Sequence, residues 1–207
     1  MLGARLACAA VVIALLGVGP PARAEVELGV FAGGKFYSED GALGRARVLH
    51  DPDSALVHSG LLGMRLGWLQ RPGIGFEVEI AASPAPTRGR LREPDGREVE
   101  GTQSGAAVLP LRGHIIVAFL AGPVQPLLLL GVGAHMATPL APGLIQTDAV
   151  AAIHGGGGVA IGVQRHWGLR LEGRFLFVEG IRQAYVPEGE VLLGIYARFP
   201  APTGSAP

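Results

Sequence analysis

The sequence predicts an all-β chain: eight antiparallel strands closed into an up-and-down transmembrane β-barrel. Three observations predict it. Glycine supplies 33 of the 207 residues, and each Gly costs a helix roughly 1 kcal/mol relative to Ala, so a helix bundle is disfavoured. Eight segments alternate apolar and polar residues with the period of a strand, and each has about the 9–11 residues that a tilted strand needs to cross a membrane. The connections between them run long, short, long, short, which in an up-and-down barrel gathers the long loops at one end and the tight turns at the other.

Composition narrows the function classes. The chain is 49% hydrophobic with a mean hydropathy of +0.38, too apolar for a disordered chain. Lys+Arg and Asp+Glu are equal at 17 each, so there is no electrostatic footprint for nucleic acid. Residues 1–24 read as a cleaved signal peptide: Arg5, then the apolar run Leu6 to Val18, then Ala22-Arg23-Ala24 with small residues where a signal peptidase reads. The apolar run is short of the roughly 20 residues of a membrane-spanning helix. Cys8 precedes that run, the wrong place for a lipoprotein box. Cleavage after Ala24 removes this one cysteine and with it any thiol chemistry.

The strands follow in order. Val26 to Tyr37 sets Val26, Leu28, Val30 and Phe36 against Glu27, Lys35 and Tyr37. Leu61 to Leu69 sets Leu62, Met64, Leu66 and Trp68 against Gly63, Arg65 and Gly67. In Gly75 to Ala81, Phe76, Val78 and Ile80 oppose Glu77 and Glu79. Leu109 to Phe119 sets Leu109, Leu111, Ile115, Val117 and Phe119 against Arg112 and His114. Two segments are weaker: Val124 to Met136 contains the unbroken run Leu127 to Leu130, and Val150 to Gln164 contains Gly155 to Gly158. Trp167 to Val178 is the clearest, with Trp167, Leu169, Leu171, Phe175 and Phe177 on one face and Arg170, Glu172 and Arg174 on the other. Val191 to Phe199 sets Val191, Leu193, Ile195, Ala197 and Phe199 against Gly194, Tyr196 and Arg198.

The long connections are Ser38 to Leu56, Ala82 to Val108, Ala137 to Ala149 and Glu179 to Gly189; the short ones are Gln70 to Gly73, Leu120 to Pro123 and Arg165-His166. Alternation alone does not say which face meets water. Three features favour lipid outside. No segment carries a charge on its apolar face, where Arg or Lys would cost about 2–4 kcal/mol at the midplane. The polar face mixes its charges with small residues such as Gly29, Gly33, Gly131, Gly133, Ala160 and Gly194, suited to a crowded interior. Trp68, Phe119, Trp167 and Phe199 all lie beside the short-turn end, as one aromatic girdle. The alternative is a soluble exported barrel with an apolar ligand inside.

Gly131-Val132-Gly133 after Pro126, Gly157 through the Trp167–Phe175 run, and Gly194-Ile195-Tyr196-Ala197-Arg198-Phe199 together resemble the small eight-stranded outer-membrane β-barrels, the superfamily of the OmpA transmembrane domain and OmpX. The resemblance covers Glu25 to Phe199. It implies a barrel over residues 25–199 in a Gram-negative outer membrane, with lipid and lipopolysaccharide around it and the barrel assembly machinery reading the terminal Phe199. It departs from the pattern in the Pro/Gly/Ser-rich tail of residues 200–207, expected to be disordered and periplasmic.

The polar face is where chemistry would sit. Glu27, Lys35, Arg65, Glu77, Glu79, Arg112, Arg170, Glu172, Arg174 and Arg198 are expected to form an ionic network in the lumen, since an unpaired charge there is costly. Such a network fills a structural barrel or gates a narrow passive channel. His114, His135 and His154 point inward by parity, without the spacing of a metal motif. His154-Gly155-Gly156-Gly157 looks like a lipase oxyanion loop but lacks a nucleophile elbow, and Gly155 to Gly158 has no phosphate-loop Lys after it. His58-Ser59 lies near an external strand end, as in lipid A-modifying barrels, without a paired acid. Thr87 to Gly101, with Arg88, Arg90, Arg92 and Arg97 against Glu93, Asp95, Glu98 and Glu100, is a solvated hairpin extension or a binding surface for phosphates or a partner. The expectation is a monomeric barrel with a structural or surface-interaction role, no enzyme, no metal and no cofactor.

Overall fold

The computed structural model describes residues 24–44, 55–70, 73–92, 98–119, 122–140 and 147–200. The expected signal peptide (apart from Ala24) and the tail beyond Pro200 lie outside the described residues. Eight long strands form the wall: β1 (Ala24–Phe36), β2 (Ser59–Gln70), β3 (Gly73–Arg92), β4 (Glu98–Ala118), β5 (Val124–Pro139), β6 (Asp148–Gly162), β7 (Trp167–Glu179) and β8 (Tyr185–Pro200). Each pairs antiparallel with the next, and β1 pairs with β8 as well as β2, so the sheet closes. A two-residue strand, Ala55–Leu56, adds to the outer end of β3 opposite Arg88 and Thr87.

The register fixes the shape. From Val26 the cross-strand partners run to Trp68, Phe76, Ile115, Leu130, Gly155, Phe175, Gly189 and back to Phe36. One circuit therefore ends ten residues further along β1. That stagger imposes a strand tilt of about 40°, and eight strands enclose a space only wide enough for side chains.

The two faces are inverted relative to a soluble protein. Leu62, Met64, Leu130, Phe175, Leu193 and Ile195 are exposed on the outside, while Glu77, Glu79, Arg112, Glu172 and Arg174 are buried within. On β7 burial alternates without a break from Trp167 to Glu179. Its outward residues from Trp167 to Phe177, at ~3.3 Å per residue and ~40° of tilt, make a band about 25 Å tall, the height of the apolar belt of outer-membrane barrels. The run Leu127 to Leu130, which has no alternation in side-chain type, alternates in burial: Leu127 and Leu129 face in, Leu128 and Leu130 face out.

Two of the expected long connections are mostly strand. The segment Ala82 to Val108, expected to be a loop, continues β3 and β4 as a hairpin paired out to Arg92 and Glu98, with one register shift at Ala85/Pro86. The connection expected over Glu179 to Gly189 is shorter, because β8 begins at Tyr185. The apolar alternation that defines a strand inside the bilayer stops at its surface, whereas the backbone ladder does not need it.

Glycine placement gives a test. A Cβ on Gly158 would lie 2.1 Å from the Leu171 carbonyl oxygen, whereas a Cβ on Gly173 would meet nothing within 4 Å. Gly158→Ala is expected to lower the temperature at which the folded, SDS-resistant band is lost, and Gly173→Ala to leave it unchanged.

Candidate functional site: the charged lumen

Burying many charges inside a narrow barrel requires each to find partners. The strands deliver them in tiers. Nearest the short turns, Arg198 Nε donates to Glu27 at 2.7 Å and Arg170 Nη1 reaches the same carboxylate at 3.3 Å. In the middle, Glu77 accepts from Arg170 at 2.7 Å, from Arg65 at 3.5 Å and from His114 Nε2 at 2.8 Å. Glu172 takes Arg65 at 2.9 Å, Arg174 and Arg170. Glu79 holds Arg174 at 2.6 Å and Arg112 at 2.8 Å. Nearest the loops, Glu190 binds Arg112 at 2.6 Å and Lys35 at 3.1 Å, and Lys35 also reaches Glu188 at 3.0 Å.

All ten charged residues expected in the lumen are buried there. Glu188 and Glu190 were missed. Among the described residues that share these ion pairs, they bring six carboxylates (Glu27, Glu77, Glu79, Glu172, Glu188, Glu190) to six cations (Lys35, Arg65, Arg112, Arg170, Arg174, Arg198). The alternation Val186, Glu188, Glu190 against Pro187, Gly189, Val191 could have found them, but Pro187 reads as a loop residue. It sits beyond Gly189, the last β8 residue paired with β1, where one side of β8 is an edge and proline is tolerated.

The wall makes room for these long side chains. Among the described ion pairs none uses a side chain of β5 or β6; Gly131, Gly133, Gly156 and Gly158 stand there instead. A Cβ at Gly133 would fall 2.5 Å from Arg112 Cγ, and one at Gly156 3.1 Å from Arg174 Cγ. Aromatic rings also contact the cations: the Arg65 guanidinium lies 4.5 Å over Phe31 and that of Arg198 4.0 Å over Tyr196.

Apolar side chains gather at both ends of the described lumen. At the loop end the chain after β1 crosses the mouth. Ala42 N donates to Glu179 O at 2.9 Å, Ile181 N to Asp40 O at 3.0 Å, and Gly44 N to the Asp148 carboxylate at 3.3 Å. Leu43 is thereby buried among Tyr37, Ala85, Ala106, Val108, Ala137 and Val150. At the short-turn end Ile116, Leu127, Leu129, Ala160 and Tyr196 form an apolar layer. Beside it Glu27, Gln125, Arg170 and Arg198 line a cavity of about 10 Å³, room for about one water.

The other candidate residues separate. Trp68, Phe119, Trp167 and Phe199 lie outside, exposed, at the short-turn end, with Val26 opposite both Trp68 and Phe199. At the loop end Phe36, Phe175, Phe177 and Tyr185 are exposed on β1, β7 and β8. The donor atoms of Glu77, Glu79 and His114 fall within 4.8 Å of one another, but the two carboxylates are already neutralised by four guanidinium groups, which a metal ion would have to displace. His58 Nδ1 accepts from Tyr37 N at 3.2 Å, and Ser59 Oγ is 2.6 Å from Ser83 Oγ, so no base–nucleophile pair is assembled there. His154 through Gly157 lies inside β6. The register sets Arg90 opposite Glu100 and Arg92 opposite Glu98 in the external hairpin.

A closed barrel of eight antiparallel strands, apolar outside and ionic inside, can be set beside known structures. Neisserial surface protein A matches with a TM-score of 0.54 at 14% identity over 87% of this chain and 99% of that one. The N-terminal β-barrel domain of Pseudomonas aeruginosa OprF matches at 0.51, with 12% identity over 84% and 97%. The fold is that of the small eight-stranded outer-membrane β-barrels. The outer membrane protein AlkL, solved in lipid bilayers, matches at 0.50, with 14% identity over 92% and 96%. At these identities the likeness is one of architecture. No protein-family model and no curated protein matches the chain.

Removing one partner leaves the others buried and uncompensated. Glu79→Gln is expected to lower the unfolding free energy by about 3–5 kcal/mol, read by urea titration in lipid vesicles. Arg182→Gln, at a pair whose arginine is largely exposed, is expected to leave it within error.

Proposed function

We propose that the protein is an outer-membrane barrel, sealed in its resting state, that anchors an external β-hairpin at the cell surface and performs no catalysis. The observation that carries this reading is the filled lumen. Twelve charged side chains interlock across its width, and apolar layers cover it at both ends. A barrel of this girth has no room left for a solute beside them. The outward apolar band supports insertion in lipid, and Trp68, Phe119, Trp167 and Phe199 are placed to sit at one membrane interface. The resemblance of the Gly194–Phe199 strand supports insertion by the barrel assembly machinery, with the chain acting as a monomer.

The hairpin formed by the outer halves of β3 and β4 extends past the last β5 pairing, at Ala106. It is the part of the described wall that reaches furthest from the band, and we assign it the surface-interaction role, with lipopolysaccharide phosphates or a partner as its counterpart.

The alternative reading is a narrow passive channel, and conductance separates the two. At neutral pH the protein in planar bilayers is expected to be silent, and Arg65→Ala or Glu77→Ala, which each unpair several groups, to show openings. Steady openings of the unaltered protein would overturn the sealed reading. For the absence of catalysis, lipid A from cells expressing the protein is expected to keep its mass; a mass change lost on Ser59→Ala would reverse that conclusion.

A further inference from the structure

The pairing of β1 with β8 closes the barrel, and its register sets the stagger of ten residues. A slip of one residue would turn the apolar face of β8 inward, so the competing closures are slips of two. Along the lumen face of the seam five pairs stand directly opposite: Glu27 with Arg198, Gly29 with Tyr196, Phe31 with Gly194, Gly33 with Leu192 and Lys35 with Glu190. Each pair is complementary. The outer two join opposite charges, and the inner three set a glycine against a large side chain. The fit is close: a Cβ at Gly194 would lie 3.1 Å from that of Phe31, and one at Gly33 2.8 Å from Leu192 Cδ2.

The two slips are not excluded alike. Sliding β8 one way would bring Phe31 opposite Tyr196 and Lys35 opposite Leu192, which fails in size and in charge. Sliding it the other way would bring Arg198 opposite Glu25 and Lys35 opposite Glu188. Carboxylates stand two residues apart on both strands, Glu25 and Glu27 on β1 and Glu188 and Glu190 on β8, so the charges accept this second closure. Lys35 already reaches both of its partners, Glu188 at 3.0 Å and Glu190 at 3.1 Å. Gly29 would face Gly194, Gly33 would face Glu190, and Glu27 would face Tyr196, a side chain with a donor hydroxyl. One contact stands against it: Phe31 would come directly opposite Leu192.

Phe31 has no room to give way. It is buried with Leu61, Ala81 and Leu192, and the Arg65 guanidinium lies 4.5 Å over its ring. Two large side chains set directly opposite on a filled, concave face overpack it. We propose that Phe31, seated at Gly194, selects the register in which the barrel closes. It excludes a second closed barrel, slid by two residues along the seam, whose stagger would be eight residues instead of ten. The heights at which Arg65 meets Glu172 and Glu79 meets Arg174 follow from that choice. The proposal does not rest on the barrel being sealed.

Disulfide trapping on the lipid-facing side of the seam tests it. Ala32 stands opposite Leu193 and would stand opposite Val191 in the slid closure. Directly opposite residues lie within disulfide reach, whereas positions two residues along lie roughly 7–8 Å away. Two cysteine pairs, Ala32→Cys with Leu193→Cys and Ala32→Cys with Val191→Cys, are placed in the full chain with Cys8→Ser, so that no other thiol remains. With Phe31 present, only the Ala32/Leu193 pair is expected to cross-link in the folded, heat-shifted band. In Phe31→Ala the Ala32/Val191 cross-link is expected to rise from background to a yield comparable with the other. Leu192→Ala removes the other half of the collision and leaves Phe31 in place, and the same rise is expected. Phe31→Leu keeps a large side chain and is expected to keep the single cross-link. An Ala32/Val191 cross-link with Phe31 and Leu192 both intact, or in Phe31→Leu, would overturn the proposal. So would its absence from Phe31→Ala or from Leu192→Ala in a folded barrel. If one of these two variants loses the folded band, the other decides; if both lose it, the slid closure is not a stable barrel and the proposal falls.

Discussion

The pairing of charges in a space without bulk water is the constraint from which the other features follow. Each guanidinium described in the lumen has given up hydration, and carboxylates, aromatic rings and the Gln125 amide oxygen stand in its place. The six-to-six balance, the tiers from Glu27 to Glu188, and the bare glycine wall of β5 and β6 are one solution to that requirement. The stems of Arg112 and His114 on β4 and of Glu172 and Arg174 on β7 lie beside their register partners on β5 and β6, and those partners are glycines.

The stagger of the strands makes this arrangement possible. A circuit that climbs ten residues along β1 puts residues distant in sequence at similar heights. Thus Lys35 meets Glu188 and Glu190 from the far end of the chain, and Glu27 meets Arg198. These contacts form only once β1 and β8 pair, so closure of the sheet and completion of the network are coupled. The mouth is covered by the same economy of elements: the chain leaving β1 crosses to β7 and β6, and Leu43 fills the apolar space above the charges.

Much of this was legible because a strand has only two faces. Once Arg170, Glu172 and Arg174 are seen on one side of β7, their direction is fixed relative to Trp167 and Phe175. The ambiguous leucine run from 127 to 130 obeys the same parity, because position rather than residue type decides which face a side chain takes. What stayed illegible was where strands end. The hairpin beyond Ser83 and the start of β8 at Tyr185 carry charges, Pro and Gly that read as loop, and backbone pairing holds them as strand. That error hid Glu188 and Glu190. The inward position of Phe31 was missed for another reason: its neighbours Val30 and Ala32 are also apolar, so no contrast of type marks the face.

By itself the sequence determined the class of fold, the inversion of its faces and most of the residues that fill the lumen, because alternation with period 2 is a local property that every strand states independently. Only the tertiary structure decided who pairs with whom. Register, tilt and closure set the heights at which side chains from different strands meet, and they brought His114 and His154 together over Gly131. A one-dimensional pattern carries the face of each residue; the partner across the lumen depends on how far each strand has slid along its neighbours, which is fixed only when the last strand pairs with the first.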